Sequence, residues 1–322
     1  VLNTELVLVS GASGFIGARL VRALRADGVP VRGLSRAQPE GEGDVQGDLD
    51  DAAALARACH GVETVFHCAG HAHAFGVRSD ADQARHWQVN FEGSQRLAEA
   101  AGAAGVRAFV FLSSVKAMGE PGDACVDEDW PVPPAGAYGE AKRAAEDAVL
   151  AVGARYGMAV VILRPAMVYG SGGRGNLERM ARLVRRGVFP PLPETGNRRS
   201  LVHVDDVVAA MRRVAGEPRA DRRTYIVAHR RAPSGRELYD ALRRASGLPE
   251  VAWAMPWEIL RFAAGCGDVL ERISGRRFPL DSQALERLLG SACYAPDRIQ
   301  RELGWQAGVD LDAGLREMLG ER

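Results

Sequence analysis

Short apolar runs alternate along the first half of the chain with longer stretches in which apolar residues recur at helical spacing. The runs are typical of strands and occupy Leu6–Ser10, Val31–Leu34, Val62–Cys68, Ala108–Ser113 and Val160–Arg164. The stretches between them are typical of helices and occupy Phe15–Asp27, Ala52–His60, Asn90–Gly102 and Tyr138–Tyr156. Because the runs are apolar at nearly every position, they predict strands buried on both faces of a sheet. The alternation predicts an α/β fold with a doubly wound parallel sheet.

Beyond about Gly170 the alternation loosens. The glycine- and proline-rich segments Gly170–Gly175 and Phe189–Gly196 separate helical pieces such as Leu177–Arg186 and Val207–Val214. We expect residues 1–170, with a return segment at about 200–230, to form the sheet unit. Residues 171–322 are expected to form a smaller α/β lobe over the carboxyl edge of the sheet, where ligands bind in such folds.

Composition narrows the function classes. The 41 Lys and Arg residues balance 41 Asp and Glu residues, so charge favours neither a nucleic acid nor a membrane as a partner. The apolar stretch Val251–Cys266 contains Glu258 and Arg261, which argues against a membrane span. No charged and then apolar leader precedes the first strand, and the five cysteines form no CxxC pair. These features predict free thiols and a cytoplasmic protein.

Three glycines follow the first apolar run, at Gly11, Gly14 and Gly17. Glycine lets a backbone turn approach a ligand closely, and the N-terminus of the following helix attracts negative charge. The pattern predicts a pyrophosphate-binding turn, although its GxxGxxG spacing differs from the usual GxGxxG. A glycine-rich turn without a ligand is the alternative.

The end of the second run bears on which dinucleotide is bound. An acidic residue there usually holds the adenosine ribose, but this chain has Ser35 followed by Arg36. A guanidinium can bind a 2′-phosphate through paired hydrogen bonds, which favours NADP(H) over NAD(H). A solvated surface arginine is the alternative. Asp48 could accept a hydrogen bond from adenine, but its position alone favours a cap on the helix that begins near Asp51.

Tyr138 and Lys142 lie four residues apart at the start of a helical stretch, so they share one helical face. An ammonium beside a phenol lowers the pKa of the phenol, which suits acid–base catalysis. Upstream, the fourth predicted strand runs into Ser114. A YxxxK spacing by itself is common in helices, but here it follows a glycine turn and a serine in order.

In these motifs the chain resembles the extended short-chain dehydrogenase/reductases, a family of nucleotide-sugar epimerases, dehydratases and reductases with a Rossmann fold. The resemblance runs almost end to end. It comprises SGASGFIG at Ser10–Gly17, GDL at Gly47–Leu49, VFHCAG at Val65–Gly70, VNFEGSQRLAEAA at Val89–Ala101, FLSS at Phe111–Ser114, YGEAK at Tyr138–Lys142, LRPAMVYG at Leu163–Gly170 and SLVHVDDV at Ser200–Val207.

The resemblance implies a role for each matching residue. Tyr138 exchanges the proton, Lys142 also holds the nicotinamide ribose, and Ser114 bonds the reacting oxygen. It implies that Asp48 and Leu49 flank the adenine, against the cap favoured above. The implied cofactor-binding residues are Gly11, Gly14, Phe15, Ile16, Gly17, Arg36, Asp48, Leu49, Ala69, Gly70, Tyr138, Lys142 and Pro165.

For the substrate, the resemblance implies that Asn176 and Arg199 bind the phosphates of a nucleotide sugar. A helix cap for Asn176 and a solvated loop for Arg199 are the alternatives. Lys116 is expected either to face the substrate or to face solvent. Among several histidines close together, His71 and His73 lack the spacing of metal ligands, and we predict no metal site.

The two residues after Ser114 narrow the reaction. Dehydratases of the family have an Asp-Glu pair there, whereas this chain has Val115 and Lys116. Together with Arg36, this favours an NADPH-dependent reductase, and looser similarity extends to the reductases of UDP-4-keto-6-deoxy-N-acetylhexosamines. A UDP-hexose 4-epimerase, a 3β-hydroxysteroid-dehydrogenase-like enzyme and a non-catalytic NADP(H) sensor are the alternatives. Relatives commonly form homodimers, and small residues in the two relevant helices suit either that interface or packing on the sheet: Ala98, Ala101, Ala141, Ala145 and Ala148.

Overall fold

The computed structural model describes residues 5–39, 41–71, 80–173, 175–274 and 282–320. Its main sheet contains seven strands, all parallel, in the spatial order β10-β7-β5-β4-β1-β2-β3. These strands are β1 Val7–Ser10, β2 Val31–Ser35, β3 Val45–Gln46, β4 Thr64–His67, β5 Ala108–Leu112, β7 Ala159–Pro165 and β10 Thr224–Val227. The five predicted strands all lie in this sheet, and the doubly wound fold is confirmed.

Two short parallel pairs lie outside the main sheet. They are β6 Cys125–Val126 with β11 Cys293–Tyr294, and β8 Met167–Tyr169 with β9 Leu201–His203.

Helices cover both faces of the sheet and form the additional layers. They are α1 Phe15–Ala26, α2 Ala52–Cys59, α3 Asp80–His86, α4 Gly93–Ala103, α5 Ala137–Tyr156, α6 Asn176–Arg185, α7 Val204–Val214, α8 Gly235–Ala245, α9 Trp257–Ser274, α10 Ser282–Leu289, α11 Asp297–Leu303 and α12 Leu311–Leu319. No helix among the described residues has both the length and the apolar content needed to cross a bilayer.

Alternate residues of each central strand face opposite cores, as the pleat requires. In β1, Val7 and Val9 pack with α1, α7 and α11 on one side of the sheet. Leu8 packs with α2, α4 and α5 on the other side. Both faces of the strand are therefore buried, which explains why its sequence is continuously apolar.

One predicted helix starts in the wrong place. The stretch expected over Asn90–Gly102 is α4, which begins at Gly93 and follows a π-helical turn at Trp87–Glu92. The turn continues directly from α3. A π-helical turn contains about one residue more than an α-helical turn, so regular helical spacing does not predict it.

The expectation that all five cysteines are free thiols is wrong. Cys125 and Cys293 form a disulfide, although they are 168 residues apart in sequence. They lie opposite each other where β6 pairs with β11. Cys59, Cys68 and Cys266 are free.

The alanines considered for a dimer interface are largely used inside the chain. Ala98, Ala101, Ala141 and Ala145 are fully buried where α4 and α5 pack against the sheet and each other. Ala148 is half-buried. Their small size is thus explained by packing on the sheet.

Candidate active site

The glycine turn after β1 is tight because three backbone segments meet there. Gly11 has a positive φ of 69°, and its carbonyl accepts a hydrogen bond from the N–H of Gly14 at 2.8 Å. A Cβ on Gly11 would lie 2.7 Å from the backbone nitrogen of Ala69, and one on Gly17 would lie 2.1 Å from the carbonyl oxygen of Gly11. Gly14 caps α1 without a side-chain bond. The helix therefore presents free N–H groups suited to an anion.

A cleft opens at the carboxyl ends of β1, β2 and β4, where the strand order reverses. This is the position at which doubly wound sheets bind dinucleotides. Seven predicted cofactor residues line it: Gly11, Gly14, Arg36, Asp48, Leu49, Ala69 and Gly70. Phe15, Ile16 and Gly17 form the first turn of α1, and Pro165 ends β7. The cleft and the turn together fit a dinucleotide.

The end of β2 presents a cation to this cleft. Arg36 is exposed and lines the cleft beside Ser35. Asp44, one of the acids between β2 and β3, is engaged elsewhere, because its carboxylate accepts bonds from the N–H groups of Gly33 at 2.6 Å and Gly41 at 2.8 Å. Asp44 is therefore not available to bind the ribose of a dinucleotide.

The cap of α2 is Asp51, whose side chain accepts a bond from the N–H of Ala54 at 2.9 Å. Asp48 is therefore not the cap that its position alone suggested. Its carboxylate accepts a bond from the N–H of Leu49 at 2.7 Å, and both residues line the cleft.

Ser114 and Tyr138 meet beside the carboxyl end of β5. Ser114 lies two residues beyond the end of β5, Tyr138 lies in the first turn of α5, and the Ser114 hydroxyl is close enough to the phenol to act on its pKa. Burial raises the pKa of Tyr138 above its usual value, and the effect of Ser114 opposes this only in part. The expected lowering of the pKa of Tyr138 is wrong, because desolvation of the phenolate dominates.

Lys142 is buried one turn further along α5. Its Nζ donates to the carbonyl oxygen of Leu112 at 3.0 Å. Burial lowers the pKa of Lys142 to about 8, although Glu146 and Cys68 oppose the shift. A Cβ on Gly70 would lie 3.4 Å from Nζ, so the glycine leaves room for the ammonium beside the cleft.

A buried ion pair lies directly behind Lys142. Glu146, one turn along α5, accepts bonds from Arg164 of β7 at 2.9 and 2.5 Å. Ser113 donates to the same carboxylate at 2.5 Å. The pair fastens α5 to the sheet at the level of Lys142. Glu146 follows Lys142 by four residues, so the sequence already placed the carboxylate and the ammonium on one helical face. The sequence analysis did not identify Arg164 as the partner of Glu146.

The π-helical turn at Trp87–Glu92 holds another site residue that the sequence analysis missed. Asn90 accepts a bond from the N–H of His71 at 2.7 Å and donates to its carbonyl oxygen at 2.9 Å. It also contacts His86 at 3.2 Å, and the His86 ring packs edge-on against Tyr138 at 5.6 Å. Such turns recur at functional sites. Val89 and Phe91 on either side are weak helix formers like Asn90 itself, so local propensity did not single this residue out.

His67 belongs to the core. Its ring nitrogens lie 2.6 Å from the hydroxyl of Ser10 and 2.8 Å from that of Ser94. Burial, with a smaller effect of Lys142, lowers the pKa of His67 to about 3. His73 lies outside the described residues. Within the described ranges, no group of three or more His, Cys, Asp or Glu side chains is arranged to hold a metal.

The three predicted substrate residues occupy different surroundings. Asn176 is exposed at the start of α6, but Gly175 is the cap residue, so a capping role does not explain Asn176. Arg199 is half-buried and donates to the carbonyl oxygen of Gly290 at 2.9 Å. Burial lowers the pKa of Arg199, which excludes a simple solvated loop position. Lys116 is exposed and paired with Glu120.

Over 97% of its length, the chain is 28% identical to a UDP-glucose 4-epimerase of Vibrio cholerae, covering 93% of that protein. It is 30% identical to a 3 beta-hydroxysteroid dehydrogenase/Delta 5-->4-isomerase of Mycobacterium tuberculosis, covering 99% of this chain and 91% of that one. The structure of MoeE5 in complex with UDP-glucose and NAD superposes with a TM-score of 0.70 at 29% identity, covering 98% and 97% of the two chains.

The family assignment follows from residues 7–228, which match the model of the NAD dependent epimerase/dehydratase family. This match spans well over half of the chain and includes the glycine turn, Ser114, Tyr138 and Lys142. The chain is therefore an enzyme of the NAD-dependent epimerase/dehydratase family, within the extended short-chain dehydrogenase/reductases.

Proposed function

We propose that the enzyme is an NADP(H)-dependent oxidoreductase acting at C4 of a UDP-linked sugar, with reduction of a UDP-4-keto-6-deoxyhexose or its N-acetylamino form as the net reaction. The proximity of Ser114 to Tyr138, with Lys142 one turn further along α5, carries the proposal. The pair adjoins a cleft that fits a dinucleotide.

The proton chemistry favours reduction. When bound, the dinucleotide supplies the hydride. Ser114 holds the carbonyl oxygen of the sugar, and Tyr138 donates its proton to that oxygen. Because burial raises the pKa of Tyr138, the phenol is kept protonated, as a proton donor must be. Lys142 provides an ammonium beneath the site and holds the nicotinamide ribose.

Substrate binding is assigned to residues 171–322 together with the loop after β5. A half-buried guanidinium that donates to a carbonyl oxygen rather than to a carboxylate suits a diphosphate, so Arg199 is proposed to bind UDP with Asn176. The V. cholerae relative is a UDP-glucose 4-epimerase, and MoeE5 binds UDP-glucose in its structure, which supports this choice. Lys116 is proposed to reach the sugar when it leaves Glu120.

The cofactor preference rests on Arg36, which lies at the cleft where a ribose-binding acid would otherwise stand. Residues 1–170 are proposed to hold the dinucleotide. We further assign a homodimer, formed through the outer surfaces of α4 and α5.

Two other activities use the same machinery. A UDP-hexose 4-epimerase would keep its cofactor through the cycle, and the V. cholerae relative favours it. A 3β-hydroxysteroid-dehydrogenase-like enzyme is favoured by the mycobacterial relative. Elimination is disfavoured, because the residues after Ser114 are a buried valine and a lysine paired with Glu120.

The test combines turnover with ligand-induced stabilisation. Purified enzyme is incubated with a UDP-4-keto-6-deoxyhexose and NADPH, and nicotinamide absorbance is followed. We expect stoichiometric oxidation of NADPH, and a rise in melting temperature with UDP. Tightly bound NAD with interconversion of UDP-hexoses would establish the epimerase, and no response to UDP would favour the steroid-type enzyme.

The matched variants are Tyr138→Phe and Tyr156→Phe, at opposite ends of α5. Loss of the proton donor is expected to reduce kcat by about 10²–10⁴-fold in the first variant. The second, at an exposed ring, should retain wild-type turnover. Near wild-type turnover of Tyr138→Phe would exclude the assigned mechanism.

A further inference from the structure

The disulfide joins the two chain segments that meet beside the proposed diphosphate-binding residue. Cys125 belongs to β6, which follows the loop after Ser114, and Cys293 belongs to β11, which follows α10. The two strands pair over two residues each, and the N–H of Ala295 adds a bond to the carbonyl oxygen of Val126 at 2.8 Å. So short a pair of strands is weak by itself. The covalent bond is therefore a main connection between the two segments.

The segment that leads into β11 holds Arg199 in place. The guanidinium of Arg199 donates to the carbonyl oxygen of Gly290 at 2.9 Å. The backbone on both sides of Arg199 is bonded to Ala292. The N–H of Ala292 donates to the carbonyl oxygen of Arg198 at 2.7 Å, and its carbonyl oxygen accepts from the N–H of Ser200 at 2.9 Å. A shift of β11 would therefore move both the side chain and the backbone of Arg199.

The loop after Ser114 approaches the same guanidinium from the other side of the disulfide. Burial lowers the pKa of Arg199, and Glu120 of this loop is among the groups that oppose the shift. Val115, which follows Ser114 directly, belongs to the same buried cluster as Tyr294 of β11. The connection between β6 and β11 therefore links the surroundings of Ser114 to those of Arg199.

The cysteines differ in their access to reagents. Cys125 is exposed, whereas its partner Cys293 is buried. An exposed disulfide exchanges with thiols more readily than one enclosed in a core, and attack falls on the accessible sulfur. Burial raises the pKa of the free thiols of Cys59 and Cys68, to about 11 and about 12, which keeps both unreactive.

We propose that the Cys125–Cys293 disulfide is a redox switch of UDP binding, in which the oxidised enzyme holds Arg199 for the diphosphate and the reduced enzyme releases it. The inference rests on the proposed function, because it takes Arg199 as the residue that binds UDP. A shift of the segment that leads into β11 changes the position of the guanidinium, while the cofactor cleft lies elsewhere, at the ends of β1, β2 and β4.

The reductant is a dithiol. One of its thiolates attacks Sγ of Cys125, the S–S bond of the protein breaks, and Cys293 leaves as a thiolate that takes up a proton. The second thiolate of the reductant then attacks the mixed disulfide and releases Cys125 as a thiolate, which is also protonated. The protein gains two electrons and two protons, and the dithiol becomes a disulfide.

Calorimetric titration of the folded full-length enzyme with UDP, before and after reduction by dithiothreitol, tests the proposal. Saturating NADPH is present throughout, because a ligand of the folded state stabilises it. We expect reduction to weaken UDP binding by about tenfold or more, the effect of losing a charge-assisted hydrogen bond. Removal of the dithiol and addition of oxidised glutathione should restore the affinity. The affinity for NADPH, titrated separately, should not change.

Three variants separate the switch from other effects of the dithiol. Cys125→Ser should bind UDP as weakly as the reduced wild type, with or without dithiol. Arg199→Met should bind UDP weakly and should no longer respond to reduction. Cys266→Ser removes an exposed free thiol of α9 and should respond as the wild type does.

Amide hydrogen exchange provides a measurement that needs neither UDP nor a variant. The N–H groups of Ala292 and Ser200 are bonded between the two segments, so they should exchange faster after reduction. Peptides that cover the glycine turn at residues 10–17 should exchange at the same rate in both forms.

Equal UDP affinity of the folded oxidised and reduced enzymes would overturn the inference and leave the proposed function standing. If neither form binds UDP, the proposed function is wrong and the inference falls with it. Loss of the far-UV circular dichroism signal on reduction would make the bond a purely structural crosslink. Weaker UDP binding without faster exchange at Ala292 and Ser200 would exclude the route through Arg199, and this would also overturn the inference.

Discussion

Glu146 of α5 and Arg164 of β7 form a fully buried, two-point ion pair, with N–O distances of 2.9 and 2.5 Å. Because Glu146 lies one helical turn from Lys142, its carboxylate favours the charged form of the lysine. The pair thus links the stability of the sheet to the charge of a candidate catalytic group.

Glu146→Gln should shift the alkaline limb of the pH–activity profile. The pKa of Lys142 is about 8, and loss of the nearby negative charge lowers it further. Lys142 therefore loses its proton at lower pH, and we expect the limb to move down by about one pH unit. The measurement is kcat/KM against pH. Asp147→Asn, an exposed carboxylate on the same helix, is the matched control and should leave the limb in place.

Removing Glu146 also leaves Arg164 buried without a partner, which costs about 3–5 kcal/mol of stability. Glu146→Leu combined with Arg164→Met should recover much of that stability. Its alkaline limb of kcat/KM should still lie at lower pH than that of the wild type. A folded Glu146→Gln with a wild-type profile would show that Glu146 does not influence Lys142.

His67 should make the enzyme less stable in acid. Its pKa is about 3 in the folded protein and about 6.5 in the unfolded chain, so only the unfolded chain binds the proton between these values. The free energy of unfolding therefore falls as pH drops below about 6.5, by about 1.4 kcal/mol per pH unit from this residue.

Urea denaturation of His67→Gln between pH 6.5 and 4 should give a shallower pH dependence than wild type. His60→Gln removes an exposed histidine and should keep the wild-type slope. Equal slopes in all three proteins would show that His67 is not held neutral by the fold.

Reduction of Cys125–Cys293 should destabilise the protein, because the bond closes a loop of 168 residues. The expected loss in the free energy of unfolding is about 5 kcal/mol. Urea denaturation with and without a dithiol measures it, and Cys125→Ser should match reduced wild type. Cys266→Ser, at an exposed free cysteine, should have no effect. If a dithiol does not change wild-type stability, the bond does not form in solution.

Arg36→Ala should weaken NADPH binding about tenfold or more and leave NADH binding little changed. A charge-assisted hydrogen bond contributes about 1.5–3 kcal/mol, and the 2′-phosphate occurs only in NADPH. Titration of both cofactors by fluorescence measures the ratio, with Arg57→Ala as the control at an exposed arginine of α2. An unchanged ratio would remove the argument for NADP(H).

Arg199→Met should weaken UDP binding by at least tenfold while leaving the dinucleotide affinity unchanged. Arg199 is half-buried with a carbonyl partner, whereas its neighbour Arg198 is exposed and bonded to the carbonyl oxygen of Asp123. Arg198→Met is thus a control one residue away. Calorimetric titration measures the affinity of each variant for UDP. If Arg199→Met and Arg198→Met bind UDP equally well, Arg199 does not bind the diphosphate.

Local patterns predicted most of the sheet and the candidate catalytic residues. Strands buried on both faces must be apolar throughout, so their positions are visible in the sequence. Tyr138 and Lys142 share a face because helical spacing alone requires it. The cap of α2 could not be chosen from the sequence, because Asp48 and Asp51 are both plausible caps. In the structure Asp51 immediately precedes the helix and accepts the bond from Ala54.

The sequence by itself determined the alternation of elements, the glycine turn and the order of serine, tyrosine and lysine, since each depends on neighbouring residues. The tertiary structure decided the partners of Glu146, the disulfide, the π-helical turn at Asn90 and the direction of the pKa shift of Tyr138. These features depend on residues brought together from distant segments and on their removal from water. Spacing within one segment does not show which distant segment packs against it, nor how completely a particular side chain is removed from water.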